Sequence, residues 1–300
     1  MPDDLAALIL TNRRPDNVRT YGALRKHGYS GPIVLVVDDE DPTLPDYLNR
    51  YGEEVQVFSR RRAAQLTDMA DNFLDARDSV VVARNAAWGV AEQLGYRDFM
   101  VLDDDYSGFS HRYDGENVFR YCPIQNLDAV WSAMRRFFRA TDLVTLAMMQ
   151  GGDFLGGARG SSVYVHKIMM ARKAMNSFLC STDRPFRFSG RTNEDVTAYC
   201  LLGAQGLLFG SVNQVDLGQA RTQQQPGGMT DIYRQQGTYV KSFYTVLHCP
   251  SFVNVSMMNS REVRIHHQVQ WSYAVPKILP PELQKPRADA PMRDTAPHAL

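Results

Sequence analysis

Residues 5–37 have the sequence LAALILTNRRPDNVRTYGALRKHGYSGPIVLVV. The run from Leu5 to Leu10 is short and wholly apolar, as expected of a strand buried on both faces. Asp16 is placed to cap a helix that Gly28 ends, and residues 33–37 form a second buried strand. A strand, a helix and a strand in this order indicate a parallel sheet, because parallel neighbours need a crossover between them.

The same alternation continues along the chain. Residues 55–58 and 99–102 predict two more strands, with helical stretches over 60–73 and 84–94 between them. We therefore predict an α/β fold with a Rossmann-like, mostly parallel sheet and helices on both faces. Further elements are expected downstream: a hairpin over 106–121, a helix capped by Asn126, strands over 143–148 and 163–170, a helix over 195–207 and a polar loop over 214–237.

Composition narrows the class of protein. The 300 residues carry a net charge of +0, so no global attraction to nucleic acid or a membrane is expected. The four cysteines form no CxxC pair, which argues against a zinc knuckle and favours a reducing compartment. The start MPDDLAALIL lacks the basic run of a secretory signal, and no stretch reaches the roughly 20 apolar residues of a membrane span. We expect a cytoplasmic protein.

The sharpest chemical motif is an acidic triplet, Asp103-Asp104-Asp105, directly after the predicted strand 99–102. Ligands of open α/β sheets bind beyond the carboxyl ends of the strands. Carboxylates in that position hold Mg²⁺ or Mn²⁺, which neutralises charge on a departing diphosphate. An acidic loop that caps the next element is the alternative interpretation.

Two later motifs carry possible partners for the triplet. Glu194-Asp195 begins a predicted helix, where the carboxylates either stabilise the helix dipole or accept a proton from an attacking hydroxyl. His266-His267 offers imidazole nitrogen as a further metal ligand, although single histidines are more often structural.

Polar residues at the predicted strand ends suit a nucleotide. An arginine beside free amides at a helix start favours an anion. The candidates are Asn12 and Arg13 after the first strand, Asp38 and Asp39 after the second, and Arg84-Asn85 at the start of the helix before the triplet.

The order of these motifs resembles that of GT-A glycosyltransferases over residues 5–280. Asp103 to Asp105 match the metal motif, Gly156-Gly157 the glycine loop, Glu194-Asp195 the acidic pair, and His266 or His267 the late ligand. The resemblance implies a UDP-sugar donor and Mn²⁺ or Mg²⁺ bound by Asp103 and Asp105.

A narrower resemblance is to the TET-associated glycosyltransferase family. It is carried by LILTNRRPDNV at 8–18, Gly28-Tyr29, VVDDED at 36–41, RIHH at 264–267 and PKIL at 276–279. That family is found mainly in bacteriophages and is understood to place sugars on 5-hydroxymethylcytosine in DNA. It implies DNA carrying this base as the acceptor, no membrane partner, and the cytoplasm of an infected bacterial host as the location.

The resemblance also implies roles and boundaries. We expect Asp38 or Asp39 and Arg84 to contact the nucleoside, Asp104 to contribute to the donor site, and Gly156 and Gly157 to let the backbone approach the sugar. Asp195 or Glu194 is the expected base of an inverting enzyme, whereas in a retaining enzyme the pair would position the sugar. We expect residues 1–105 to form the nucleotide-sugar-binding half and 106–280 the acceptor-binding and catalytic half, and the Pro, Ala and charge of 281–300 predict a disordered tail. Contacts to DNA phosphates are expected from arginines 60–62 or from Arg135, Arg136 and Arg139, although such basic clusters are usually solvated helix faces.

Several functions remain compatible with these motifs. A glycosyltransferase of the same type can act on a polysaccharide, a protein or a small molecule. A nucleotidyltransferase shares the sheet and the metal chemistry but releases pyrophosphate. A binding module without catalysis is a third alternative, against which the complete acidic triplet and acidic pair argue.

Overall fold

A computed structural model of the chain describes residues 5–71, 79–113, 116, 119–150, 168–170, 177–219, 240–259 and 263–275. The strands in these ranges are β1 (Leu5–Leu10), β2 (Ile33–Asp38), β3 (Val55–Phe58), β4 (Asp98–Asp103), β5 (Tyr106–Tyr113), β6 (Phe119–Pro123), β7 (Leu143–Gln150), β8 (Ile168–Met169), β9 (Ser177–Ser181), β10 (Leu208–Gln219), β11 (Val253–Asn259) and β12 (Val263–Val269). The helices are α1 (Arg19–Lys26), α2 (Leu44–Tyr51), α3 (Arg60–Gln65), α4 (Val80–Gln93), α5 (Leu127–Arg139), α6 (Glu194–Ala204), α7 (Lys241–His248) and α8 (Trp271–Ala274).

One large sheet organises the described part of the chain, in the order β3-β2-β1-β4-β9-β7-β10-β5-β6, with β8 beside β10. The block from β3 to β4 is parallel. β9 runs antiparallel to both β4 and β7, and β10 pairs in parallel with β7 and antiparallel with β5. A separate ribbon is formed by β11 and β12. The carboxyl ends of β1, β2 and β4 meet at one edge, which carries the candidate site.

Helices cover both faces of the sheet. Alternate residues of β1 point to opposite sides, so that Leu8 packs in a core with α4 and α6 while Ile9 packs in a second core with α1, α2 and α5. The predicted α/β class is therefore confirmed. No helix in the described ranges is long and apolar enough to cross a membrane.

Most predicted elements are confirmed. The strands β1 to β4 and β7 lie where the apolar runs predicted them, and the expected hairpin is β5 with β6. Asn126 caps α5, accepting a hydrogen bond from the amide of Ala129 at 2.9 Å. Gly28 follows α1 with a φ of 81°, in the left-handed region that glycine tolerates. The predicted tail over 281–300 lies outside the described residues.

Other predictions are corrected. Asp16 does not cap α1; it lies in a 3-10 turn and pairs with Arg50. The predicted loop over 214–237 is strand as far as Gln219, because β10 lies between β7 and β5 and pairs with both despite its polar side chains. Helix α3 ends at Gln65, before the predicted end at residue 73. Helices α2 and α7 and strand β9 are additional elements that no pattern in the sequence predicted.

Candidate functional site

One buried arginine joins the acidic triplet to the acidic pair. Asp103 is the last residue of β4, and 20% of its side chain is exposed. Nη2 of Arg84, in α4, donates to Oδ1 of Asp103 at 3.1 Å. Nε of the same guanidinium lies 2.9 Å from Oε1 of Glu194, at the start of α6. Two motifs about 90 residues apart in the sequence therefore meet at one edge of the sheet.

The carboxylates of this edge share one electrostatic environment. Burial raises the pKa of Asp103 to about 6; Arg84 opposes the rise, and the charges of Asp105 and Asp195 add to it. Burial also raises the pKa of Glu194 against the pull of Arg84. Burial disfavours the charge on Arg84, but the neighbouring carboxylates outweigh that effect and raise its pKa.

The donor atoms fit a hard divalent cation. Mg²⁺ is typically held by one or two carboxylates together with substrate phosphates, without a complete protein cage. Among the described residues, no group of three or more His, Cys, Asp or Glu side chains is arranged as a finished metal site. Asp103 and Asp105 are the two carboxylates predicted to bind it, and a cation would offset the charges of Asp105 and Asp195 that add to the effect of burial on the pKa of Asp103.

The turn that carries the triplet is held by Thr20, which the sequence analysis did not identify. Its Oγ1 donates to the carbonyl of Asp103 at 2.6 Å and accepts from the amide of Tyr106 at 2.9 Å. Its own amide donates to the carbonyl of Asp104 at 3.1 Å. A single threonine within a helix gives no sequence signal for this role.

Asp104 faces protein groups. Its Oδ2 accepts from Oγ1 of Thr11 at 2.7 Å and lies 3.3 Å from Nε of Arg14. Burial raises its pKa to about 6, against the effect of Arg14. Arg13, the arginine predicted for the site, has a φ of 57° and an exposed side chain. The left-handed backbone at Arg13 presents the side chain of Arg14 to the triplet, and a nucleotide contact of Arg13 stays a prediction.

Asp38 and Asp39 differ in their surroundings. Asp38 is buried, and its Oδ2 accepts from Nη2 of Arg60 at 2.6 Å and from Nδ2 of Asn12 at 2.9 Å. Asp39 is exposed and accepts only a backbone hydrogen bond, from the amide of Arg60 at 2.8 Å, among the contacts described. Asn12 and Asp38 thus order the strand ends, while Asp39 presents a carboxylate to solvent.

The predicted helix start at Arg84-Asn85 is wrong. Helix α4 begins at Val80 behind Ser79, whose side chain accepts from the amide of Val81. Arg84 and Asn85 therefore lie beyond the first turn of the helix. The backbone amides that lack partners within the helix, and are available to an anion, belong to that first turn. The carboxamide of Asn85 binds both the amide and the carbonyl of Phe188, at 2.8 and 2.9 Å. This buried residue joins two segments of the fold, and the nucleotide contact predicted for it stays a prediction.

The histidine pair is connected to the acidic pair through Asn193. Asn193 has a φ of 61° and directly precedes α6. Its Nδ2 lies 3.3 Å from Nδ1 of His267 and donates to Oγ1 of Thr245 at 2.6 Å. The ring of His266 lies 4.1 Å from that of His267. Which histidine binds metal stays a prediction, and Gly156 and Gly157 lie outside the described residues.

The segment before the acidic pair is anchored by a second buried arginine. Nε and Nη2 of Arg191 donate to the two carboxylate oxygens of Asp71 at 2.8 and 2.7 Å. The hydroxyl of Tyr244 donates to Asp71 at 2.5 Å. Burial, followed by the hydrogen bond to Asp71, raises the pKa of this tyrosine to about 12. The three residues are far apart in the sequence, so no local pattern predicts the cluster.

The raised carboxyl pKa values predict a pH-dependent stability. A carboxyl with a higher pKa in the folded state binds more protons when folded, so that raising the pH favours unfolding. With pKa values of about 6 for Asp103 and Asp104, their contribution to the free energy of unfolding should fall as the pH rises from about 4 to about 7. We expect the melting temperature measured by calorimetry to fall over this range by less in Asp103→Asn than in the wild type. Parallel pH profiles of the two proteins would contradict this.

An α/β sheet with carboxylates gathered at its carboxyl edge is the architecture of a ligand-binding α/β enzyme. The chain belongs to the TET-Associated Glycosyltransferase family, whose model matches residues 5–228 of the 300. The resemblance predicted from the motifs is thereby confirmed, and the chain is a member of this glycosyltransferase family. The match ends before His266 and His267, so it does not extend to their role. No curated protein matches the chain significantly.

Three solved structures are distantly similar. A TarS fragment from S. aureus is 13% identical over 71% of this chain and 60% of its own, with a TM-score of 0.40. Glucosyl-3-phosphoglycerate synthase from Mycobacterium tuberculosis, solved with Mn²⁺, UDP-glucose and phosphoglyceric acid, is 10% identical over 87% and 86%, with a TM-score of 0.42. GalNAc-T7, solved with UDP, GalNAc and Mn²⁺, is 11% identical over 72% and 43%, with a TM-score of 0.37. Nothing about the ligands of this chain follows from similarity at this level.

Proposed function

We propose that the protein is a metal-dependent glycosyltransferase of the GT-A type that moves a sugar from a UDP-sugar to the hydroxyl of 5-hydroxymethylcytosine in DNA. The observation that carries the proposal is the bridge from Asp103 through Arg84 to Glu194. It brings the carboxylates suited to a cation and those suited to proton transfer into one site. Family membership supports the transfer chemistry and the DNA acceptor.

The residues divide the reaction between them. Asp195 accepts the proton of the acceptor hydroxyl, whose oxygen attacks the anomeric carbon as the bond to UDP breaks. Arg84 holds Asp103 and Glu194 in fixed positions. The carboxylate assigned to the cation and the acidic pair assigned to proton transfer therefore keep a constant separation. Asp103 and Asp105 would hold Mn²⁺ or Mg²⁺, which would supply positive charge to the departing diphosphate. This scheme inverts the anomeric centre.

The charge distribution supports a DNA acceptor at the same edge. Helix α3 follows the carboxyl end of β3, and Arg61 and Arg62 in its first turn are exposed. Such groups suit phosphate contacts, while the target base leaves the stack to reach the carboxylates. We favour this pair over the other predicted cluster, Arg135, Arg136 and Arg139, because Arg135 and Arg139 both pair with buried Asp98 at the opposite end of β4.

Transfer to DNA is expected to depend on the hydroxymethyl group. Three duplexes of one sequence, carrying cytosine, 5-methylcytosine or 5-hydroxymethylcytosine, are incubated with the protein, Mn²⁺ and a panel of UDP-sugars. Only the last offers a nucleophilic hydroxyl at the base, so mass spectrometry should detect a hexose on that base alone. Arg61→Ala with Arg62→Ala should weaken DNA binding and its salt dependence without changing the KM for the UDP-sugar.

The other outcomes decide among the alternatives. The proposed DNA acceptor would be wrong if UDP were released with a saccharide, protein or small-molecule acceptor and not with any of the duplexes. Release of pyrophosphate would indicate a nucleotidyltransferase. Binding of UDP-sugar without turnover on any acceptor would indicate a module without catalysis.

A further inference from the structure

We propose that Gln150 and Gln219 form a two-amide relay that orients the carboxylate of Asp105 and thereby sets the affinity of the site for a divalent cation. The inference rests on the proposed function, because it takes Asp105 as a metal ligand. Gln150 ends β7 and Gln219 ends β10, so both lie where two strands of the sheet reach the candidate site.

The relay is a chain of two hydrogen bonds. Nε2 of Gln219 donates to Asp105, lying 3.1 Å from Oδ1 and 3.4 Å from Oδ2. Oε1 of Gln219 accepts from Nε2 of Gln150 at 2.6 Å. A carboxamide has a donor end and an acceptor end. The bond from Gln150 therefore determines that Gln219 turns its donor end, and not its oxygen, to the carboxylate.

A buried arginine fixes the strand ends that carry the relay. Arg112 is fully buried, and its Nη2 donates to the carbonyl of Gln150 at 2.7 Å. The same nitrogen donates to Oδ1 of Asp216 in β10 at 2.6 Å, and Nε donates to that oxygen at 3.1 Å. Arg112 thus ties β7 to β10 within a few residues of both glutamines.

The backbone of β10 is shaped at this position. Its register against β5 shifts between Gly218 and Gln219, and such shifts re-aim the side chains that follow. The carbonyl of Gly218 accepts a hydrogen bond from Oγ of Ser107 at 3.2 Å. A Cβ atom added to Gly218 would lie 2.9 Å from the same Oγ of Ser107. Glycine allows β10 to lie this close to the start of β5, directly after the triplet.

The three aspartates of the triplet differ in the charge of their partners. Asp103 pairs with Arg84 and Asp104 with Arg14, so each shares its charge with a guanidinium. The side chain that donates a hydrogen bond to Asp105 is the neutral amide of Gln219, and the charge of Arg14 acts on Asp105 more weakly and, among the described contacts, without an ion pair. A neutral donor orients a carboxylate without neutralising its charge, which leaves that charge for a cation. Groups that orient metal ligands in this way typically change metal affinity by about 10- to 100-fold when removed.

The test measures Mn²⁺ binding directly, by electron paramagnetic resonance titration of the full chain in the presence of UDP and without turnover. We expect Gln219→Leu to raise the Kd for Mn²⁺ by about 10-fold. Gln150→Leu should raise it by about 3-fold, since Gln219 keeps its donor but loses its orientation. The double variant should match Gln219→Leu, because the two residues act through one bond.

The matched control is Gln125→Leu, at an exposed glutamine before α5, which should bind Mn²⁺ like the wild type. If Gln219→Leu does not fold, Gln219→Asn keeps the amide but shortens its reach, and the same rise in Kd is expected. Wild-type Mn²⁺ affinity in a folded Gln219 variant, with affinity lost in Asp105→Ala, would overturn the relay alone. Wild-type affinity in both Asp103→Ala and Asp105→Ala would overturn the metal site of the proposed function.

Discussion

Asp103→Asn is expected to lower kcat/KM for sugar transfer by about 10³-fold, since a metal ligand supplies several kcal/mol of charge stabilisation and each 1.4 kcal/mol is about tenfold in rate. The substitution keeps the shape of the side chain and removes one negative charge from the cation site. The Kd for Mn²⁺ should rise in parallel, and the loss should be partly reversed at high Mn²⁺ concentration. Steady-state kinetics over a range of Mn²⁺ concentrations measures both effects.

A loss of folding would be distinguishable. The raised pKa of Asp103 means that ionising this carboxyl costs more free energy in the folded chain than in the unfolded chain, so that its charge lowers the stability at neutral pH. The neutral asparagine should therefore melt no lower than the wild type at pH 7 without metal. Asp46→Asn, at an exposed position of α2, is the matched control and should retain full activity. Full activity in a folded Asp103→Asn variant would contradict the proposal that the acidic triplet binds the metal ion.

Asp195→Asn is expected to lower kcat by about 10³-fold with little change in the KM for the UDP-sugar. General bases contribute about 10²- to 10⁴-fold, and the loss affects only the step in which the proton moves. The acidic limb of the pH–rate profile should disappear in the variant. Single-turnover transfer, measured between pH 5 and pH 9, separates this effect from product release.

The comparison with Glu194→Gln assigns the roles within the pair. The carboxylate of Glu194 is buried against Arg84, so we expect it to position that arginine rather than accept the proton. Its loss should cost about 10-fold and leave the shape of the pH profile intact, as for a residue that orients another. A larger loss of kcat in Glu194→Gln than in Asp195→Asn would indicate that Glu194 is the base and Asp195 the positioning residue. A product that retains the anomeric configuration would instead assign the pair to positioning the sugar.

The sequence alone was sufficient for the parallel half of the sheet and for the acidic motifs. Apolar runs such as Leu5–Leu10 end at polar residues, and such runs predict buried strands because both faces of the sheet are covered. The position of Asp103 at the end of β4 follows from that pattern. The motif order led to the glycosyltransferase family without any coordinates.

Secondary structure was predicted wrongly in polar segments. Strand β10 contains Asn213, Gln214 and Asp216, which have the composition of a loop. Its strand conformation comes from hydrogen bonds to β7 and β5 on either side. The hydrophobic periodicity of a segment does not reveal the hydrogen bonds that its backbone makes with strands distant in the sequence.

Sequence by itself thus determined the α/β class, the family and which carboxylates are candidates for the chemistry. Only the tertiary structure decided how those carboxylates are held: Arg84 between Asp103 and Glu194, Thr20 at the turn, and Gln219 at Asp105. Each of these contacts joins residues from different elements. Local patterns record the burial and backbone preference of one segment, whereas a hydrogen bond or ion pair between segments exists only once the chain has packed.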